Sequence, residues 1–334
     1  MKLAKTIIFF FVLITNHSFA DNRDTLYIKD LSDFFIIKWQ TTLRTTGLDI
    51  INTKYNKKLS LRPNDSRSVG IGVTYKFINI GIGYKSKSMS GDNEVYGKTS
   101  RFDVQINSYA RKYLLNFYLQ WYKGLYVSNP KEIKKDWDTT FYPQIPDAAI
   151  LNLGSTFYWM LNYKKFSFRS SYYYNEIQKK NASTFLVGGG VNTSLGNAKN
   201  YFFPDIWINL VNNDTIAILK NYKTLAMFVS GGYSFTKVTK KQKTFFNFSL
   251  ILSLGPYFSY SSLLIGGKSK PIINSGINFS TDTRLAIGTN LGKKNKVFLG
   301  VYVVGFTNSY KLNSIYSIKT VIKKARFFIG YRFL

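Results

Sequence analysis

The chain contains no cysteine, and its one histidine is His17. Without cysteine there is no disulfide framework, thiolate metal site, iron–sulfur cluster or cysteine nucleophile. Acidic residues are scarce too: 17 Asp and Glu stand against 46 Lys and Arg in 334 residues. Beyond the first twenty positions no apolar run approaches the roughly 18 residues that mark a membrane-crossing helix.

What the chain does carry begins at its start. Lys2 and Lys5 precede the apolar run Ile7 to Ile14, and Ser18-Phe19-Ala20 puts small residues at the −3 and −1 positions of a cleavage site before Asp21. These are the three parts of a secretory signal, so residues 1–20 are expected to be removed on export. The run is too short to span a bilayer, which takes about 20 apolar residues. Removal takes away His17, two lysines and no acid, leaving 44 basic and 17 acidic side chains, a net charge of +27. A mature chain with neither histidine nor cysteine cannot assemble a Ser-His-Asp triad, a His-paired base or a His zinc site. No cofactor is implied.

Helical periodicity is scarce; alternation with a period of two recurs. In 98–110, Phe102, Val104 and Ile106 oppose Arg101, Asp103, Gln105 and Asn107. In 114–127, Leu115, Phe117, Leu119, Trp121 and Leu125 oppose Asn116, Tyr118, Gln120, Tyr122 and Gly124. In 165–177, Phe166, Phe168, Tyr172 and Tyr174 oppose Ser167, Arg169, Ser171 and Asn175. Residues 222–237 and 245–260 set Leu, Met, Val and Phe against Thr, Ser, Asn and Gly. Further strands are expected at 67–76, 79–86, 148–161, 183–196, 276–292, 296–309 and 318–334.

A soluble sandwich uses strands of about five or six residues, whereas a transmembrane barrel needs about 9–11. The segments here are long, and their polar faces hold Ser, Asn, Gly and Tyr rather than Lys and Glu, which suits a crowded wet interior. The expected fold is therefore all-β: an antiparallel up-and-down transmembrane barrel of about 12 strands, or 14, with a C-terminal strand ending in aromatic residues. Short links are expected near Phe77-Ile78, Lys112-Tyr113, 162–164 and 293–295, and long ones at 87–97, 128–147 and 310–317. Residues 21–66 read as a leader, plug or first strand, and 67–334 as the barrel. Residues 197–221 read as a loop or a hidden strand.

Tyr96-Gly97-Lys98-Thr99 looks like the end of a phosphate-binding loop, but Gly91 is one residue too far away and a strand, not a helix, follows. Gly188-Gly189-Gly190 reads as strand glycine that lets aromatics pack closely. The basic clusters, at 54–58, 131–135, 237–243, 268–270, 293–296 and 323–326, fall between apolar strands. That placement suits the two membrane edges, with lipid phosphate and lipopolysaccharide as partners, better than the continuous stripe that nucleic acid requires. The expected lumen-facing polar residues are Arg101, Asp103, Gln105, Asn107, Arg169, Asn175 and Arg284. The arginines either favour anionic solutes or pair structurally with acids such as Asp103.

Arg62-Pro63-Asn64 before a glycine-rich strand, Tyr96-Gly97-Lys98-Thr99, Phe166-Ser167-Phe168-Arg169 and the run from Asn175 to Ser183 together resemble a family of Gram-negative outer-membrane proteins, the domain of unknown function numbered 4421. That family's pattern has Ser-Ala-Gly-Ser near 181–184, where this chain has Asn181-Ala182-Ser183-Thr184. The resemblance implies a barrel and carries no activity or site residues with it.

Two functional readings follow. One is an outer-membrane barrel acting as a narrow solute pathway or as a structural or assembly component, inserted by machinery that reads its last strand. The other is a histidine-free envelope enzyme acting on lipid or glycan, which needs a paired carboxylate or a Ser-Lys pair.

Overall fold

The computed structural model describes residues 23–64, 67–76, 78–84, 92–138, 140–207, 218–265, 268–292 and 294–333. The expected signal segment with His17, residues 208–217 and most of 87–91 lie outside them. In chain order the elements are β1 (Ile28–Asp30), β2 (Phe35–Asn52), β3 (Lys57–Arg62), β4 (Ser68–Tyr75), β5 (Ile78–Tyr84), α1 (Asn93–Tyr96), β6 (Ser100–Tyr109), β7 (Tyr113–Val127) and α2 (Pro130–Ile133). They continue with β8 (Gln144–Met160), α3 (Phe168–Tyr172), β9 (Glu176–Gln178), β10 (Ala182–Asn197), β11 (Ile218–Val238), β12 (Thr244–Ile265), β13 (Lys268–Leu291), β14 (Val297–Lys311) and β15 (Tyr316–Phe333).

All the pairings are antiparallel, and the sheet closes on itself where β15 meets β2, from Tyr316↔Asn52 to Phe333↔Phe35. The alternation explains the closure. On β11, Val229 is 73% exposed and its neighbour Ser230 6%, a pattern that repeats from strand to strand. Apolar side chains point out and small polar ones point in, as lipid outside and a filled lumen inside require. β11, β12 and β13 have 21, 22 and 24 residues, well beyond the 9–11 or so that a tilted strand needs to cross. They therefore project past the hydrocarbon.

The strand count needs correction. The closed ring has 10 strands (β2, β3, β7, β8 and β10 to β15), with 3 strands outside it, rather than the twelve or fourteen that periodicity suggested. The difference lies in β2, which pairs with β3 over Leu48–Asn52 and with β4 over Ile36–Thr42. β3 reaches β7 through Leu61↔Val127 and Arg62↔Tyr126. Below that junction, β4 and β5 extend from one side and β6 from the other, and β5 and β6 share no pairing among the described residues.

Four other expectations change. The barrel begins at Phe35, so the boundary at 66/67 falls inside the wall, and only residues 23–34 act as a leader. Residues 165–177 are not a wall strand: Phe166, Ser167, Phe168, Ser170 and Ser171 are all buried, whereas a wall strand would expose every second residue. The link at 162–164 is thus the start of an inward excursion. Leu125 is buried rather than lipid-facing, because a register shift between Lys123 and Leu125 inverts the faces. Gly124 makes that bulge with φ +88, where a Cβ would strike the Lys98 carbonyl. Finally, β14 runs to Lys311 and turns tightly at 312–315, so 310–317 is no long loop. Of 197–221, Ile218 onward belongs to β11.

The lumen is layered. Its loop end is apolar, with Phe202, Phe203 and Trp207 folded in over Leu61, Leu125 and Tyr310. Its turn end, where the ring's first and last residues lie, holds Phe166, Phe168, Tyr172, Tyr173 and Tyr174 against Tyr109, Phe298 and Phe328. Charged side chains occupy the layer between.

Candidate functional site

The turn end is closed by a plug formed from residues 162–181. Ser167 caps α3, its Oγ accepting the Ser170 N–H at 3.1 Å. The helix ends as Tyr174 turns into the left-handed region (φ 65) and donates its N–H to the Arg169 carbonyl at 2.8 Å. Glu176 sits between Arg111 (2.8 Å) and Arg169 (3.3 Å) and accepts the Ser167 hydroxyl. Arg111 also donates to the Phe166 carbonyl at 2.7 Å.

Wall cations hold the plug's backbone: Lys38 Nζ lies 3.5 Å from the Tyr172 carbonyl and Arg332 Nε 2.9 Å from that of Tyr174. The Lys38 ammonium thus meets the exposed carbonyl end of α3, where a cation is favoured. The leader adds a strap, β1 pairing with β9 from Ile28↔Gln178 to Asp30↔Glu176. Burial pushes the Tyr173 phenol up to about 12 and raises that of Tyr174 as well, so both rings stay neutral at physiological pH. The Tyr174 ring stacks on Phe298 at 4.5 Å. Its hydroxyl enters a notch between Gly288 and Gly300, paired across β13 and β14. Any Cβ there would collide with it.

In the middle layer Asp103 receives Arg44 Nη1 at 3.1 Å, Gln105 Nε2 at 3.1 Å and the Tyr122 hydroxyl at 3.3 Å. Lys324 Nζ donates to Gln105 Oε1 at 2.9 Å and Arg326 Nε to Thr42 Oγ1 at 3.1 Å. Arg284 forks onto Asp282, Nε to Oδ1 at 3.0 Å and Nη2 to Oδ2 at 2.6 Å, and Nη1 reaches the Tyr109 hydroxyl at 3.2 Å.

Of the seven residues singled out in the sequence, Arg101, Asp103, Gln105 and Asn107 share the inner face of β6, and Arg284 stands on β13. Arg169 and Asn175 belong to the plug instead, where both donate to the Lys76 carbonyl. The alternation around them was a by-product of an aromatic-rich helical turn. Arg44, Lys38, Asp282 and Glu176 were missed. Arg326 and Arg332 had a signal, the alternation of the last strand.

The segments that carry the family resemblance form two clasps. Asn64 donates its N–H to Thr99 Oγ1 and its Nδ2 to the Gly97 carbonyl, each at 2.8 Å, and Thr99 Oγ1 donates to the Gly124 carbonyl at 2.7 Å. Arg62 pairs with Asp49 at 2.7 Å. This clasp fastens β3 to the head of β6 and the bulge of β7. The other two segments build the plug.

Chemically the site binds and blocks. The buried carboxylates Asp103, Asp282 and Glu176 each pair with a guanidinium rather than with one another. Among the described residues no group of three or more His, Cys, Asp or Glu could hold a metal ion.

No curated protein matches the sequence. Solved structures to which the chain is similar include the toluene transporter TodX of Pseudomonas putida, at 8% identity and a TM-score of 0.25 over 92% of this chain and 94% of that one. They also include a BenF-like porin from Pseudomonas fluorescens, at 8% identity and a TM-score of 0.18 over 91% and 100%. OccAB4 of Acinetobacter baumannii aligns at 8% and 0.16 over 89% and 98%. The chain belongs to the family described as Domain of unknown function (DUF4421), which it matches over residues 22–333.

Proposed function

We propose that this protein is an outer-membrane barrel forming a narrow, plugged pathway for small anionic solutes. The observation that carries the reading is a closed ring whose buried cations outnumber its buried acids. Lys38, Lys324 and Arg332 are at most 8% exposed and bond to neutral acceptors, Asn79 and Tyr172, Gln105, and Tyr174 and Asn290 respectively. In a low-dielectric wall such cations favour anions, and the plug decides when the path is open.

The membrane address rests on the outward apolar belt and the expected export signal. Outer-membrane barrels put short turns in the periplasm, so the plug and its strap face the periplasm and the projecting strands face outside, toward lipopolysaccharide. The outward Phe327, Ile329, Tyr331 and Phe333 of β15 form the aromatic C-terminal strand that insertion machinery would engage. The enzyme reading loses ground because the buried carboxylates are each committed to an arginine.

Planar-bilayer recording tests the pathway. The intact protein is expected to conduct rarely and Glu176→Gln, which loosens the plug, frequently, with a reversal potential shifted toward chloride in a potassium chloride gradient. Silence from both, in protein shown to be folded and inserted, would remove the pathway.

A further inference from the structure

The wall has a seam. On the side of β2 that faces β3 and β4, Leu43–Gly47 lie between the two ladders and pair with neither. Below this gap β5 and β6 present free edges to each other. Open sheet edges are not tolerated facing lipid, because each unpaired N–H or carbonyl costs several kcal/mol there. Something polar must face them.

The seam's surroundings indicate what. Its outer lips are greasy: Ile80, Ile82 and Tyr84 are 61%, 79% and 72% exposed and Phe102 54%. Its inner side is bare where Gly81 and Gly83 stand on β5, both exposed, and the Gln40 side chain lies against Gly81. Behind it lie Arg44, Arg101, Lys324 and Arg326, sharing the carboxylate of Asp103. The buried Arg44 Nε lacks a hydrogen-bond partner. Apolar lips, an unpaired slit and a cationic interior are together complementary to an anionic amphiphile: tail in the bilayer, headgroup in the slit. Each Lys or Arg near an anionic lipid surface adds about 1 kcal/mol of attraction.

We infer that the β5–β6 seam is a lateral binding site for an anionic phospholipid of the surrounding leaflet, its phosphodiester received by Arg44, Arg101 and Lys324. The phosphate oxygens satisfy the orphaned guanidinium N–H and the strand-edge amides. This rests on the cation-rich lumen proposed above, but it adds an entrance from the membrane that a water-filled pathway does not need.

Native mass spectrometry of the full chain in neutral detergent, with phosphatidylglycerol or phosphatidylcholine added, reads the site. One phosphatidylglycerol per barrel is expected, favoured about tenfold over phosphatidylcholine. The preference should vanish in Lys324→Gln/Arg101→Gln and survive millimolar inorganic phosphate. Because the chain has no cysteine, the pair Ile82→Cys/Phe102→Cys can be bridged by a short bis-maleimide. Bridging should abolish lipid retention while leaving the chloride conductance of Glu176→Gln intact, which separates this site from the axial pathway. The unbridged form of the same variant reports on folding. Equal retention of the two lipids, displacement by inorganic phosphate, or retention after bridging would each overturn the lateral site.

Discussion

Arg44 on β2 reaches Asp103 on β6, Nη1 to Oδ2 at 3.1 Å, at a level where no strand ladder lies between their two strands. A side-chain bridge stands there in place of backbone pairing. The Asp103 side chain is 3% exposed and that of Arg44 23%, so the pair is largely shielded from solvent. Removing one partner of a buried pair costs about 3–5 kcal/mol, less where one side is partly wet. Arg44→Ala is therefore expected to lower urea resistance by about 2–4 kcal/mol and to lower the heat-modifiable mobility transition. Arg44→Ala/Asp103→Ala should recover part of the loss, since the unpaired carboxylate goes with its partner.

Tyr174 and its glycine notch give a sharper steric test. Gly300→Ala puts a methyl where the Tyr174 hydroxyl sits, and overpacking of this kind costs about 1–3 kcal/mol. The ring cannot shift easily between Phe298 and Phe328, 4.5 and 4.9 Å away. The plug is expected to loosen while the wall stays closed. Limited proteolysis should then cut within 162–181 far faster than in the wild type, and Gly300→Ala/Tyr174→Phe, which removes the hydroxyl, should slow the cutting again.

The strap gives a pH dependence. Burial raises the Asp30 carboxyl, but the Ser32 N–H at 2.8 Å and Arg23 at 2.5 Å outweigh it and hold the value below the ordinary 3.8. A depressed carboxyl contributes stability that is complete above its unfolded value and lost as pH falls through the folded one. The β1–β9 pairing should therefore persist to about pH 4 and loosen only below it. Hydrogen exchange at Ile28–Asp30 is the measurement, and Asp30→Asn should show fast exchange across the whole range.

Much of the wall was legible because lipid and lumen impose strict alternation. Leu225, Met227 and Val229 against Thr224 and Ser230 needed only a period of two. Where a residue's partner comes from elsewhere in the chain, that period says nothing. The 165–177 segment alternates by composition, yet Ser167 caps a helix and Glu176 gathers arginines from a turn and from the plug itself. Leu125 was misplaced because one left-handed glycine inverted the register. The inner face of β6 was readable, but not its partners Arg44 and Lys324, because neither strand order nor stagger is written in one strand. The seam was hidden for the same reason: twelve strand-like segments do not reveal that two of them fail to pair.

The lipid-facing belt predicts position-dependent costs. Val229→Arg puts a charge into hydrocarbon and is expected to cost about 2–4 kcal/mol if it lies near the midplane. Thr281→Arg, half-buried on β13, tests the neighbouring strand, and urea titration of folded protein in lipid vesicles gives both values.

The partition of surfaces on which everything else depends is tested most directly by spin labels on single cysteines placed at each position from Thr224 to Phe235 in bilayers. The account predicts oxygen collision rates that alternate residue by residue, high at Leu225, Met227, Val229 and Tyr233 and low at Thr224, Ser230 and Ser234. Uniform rates, or high rates for a water-soluble nickel chelate at the apolar positions, would contradict it.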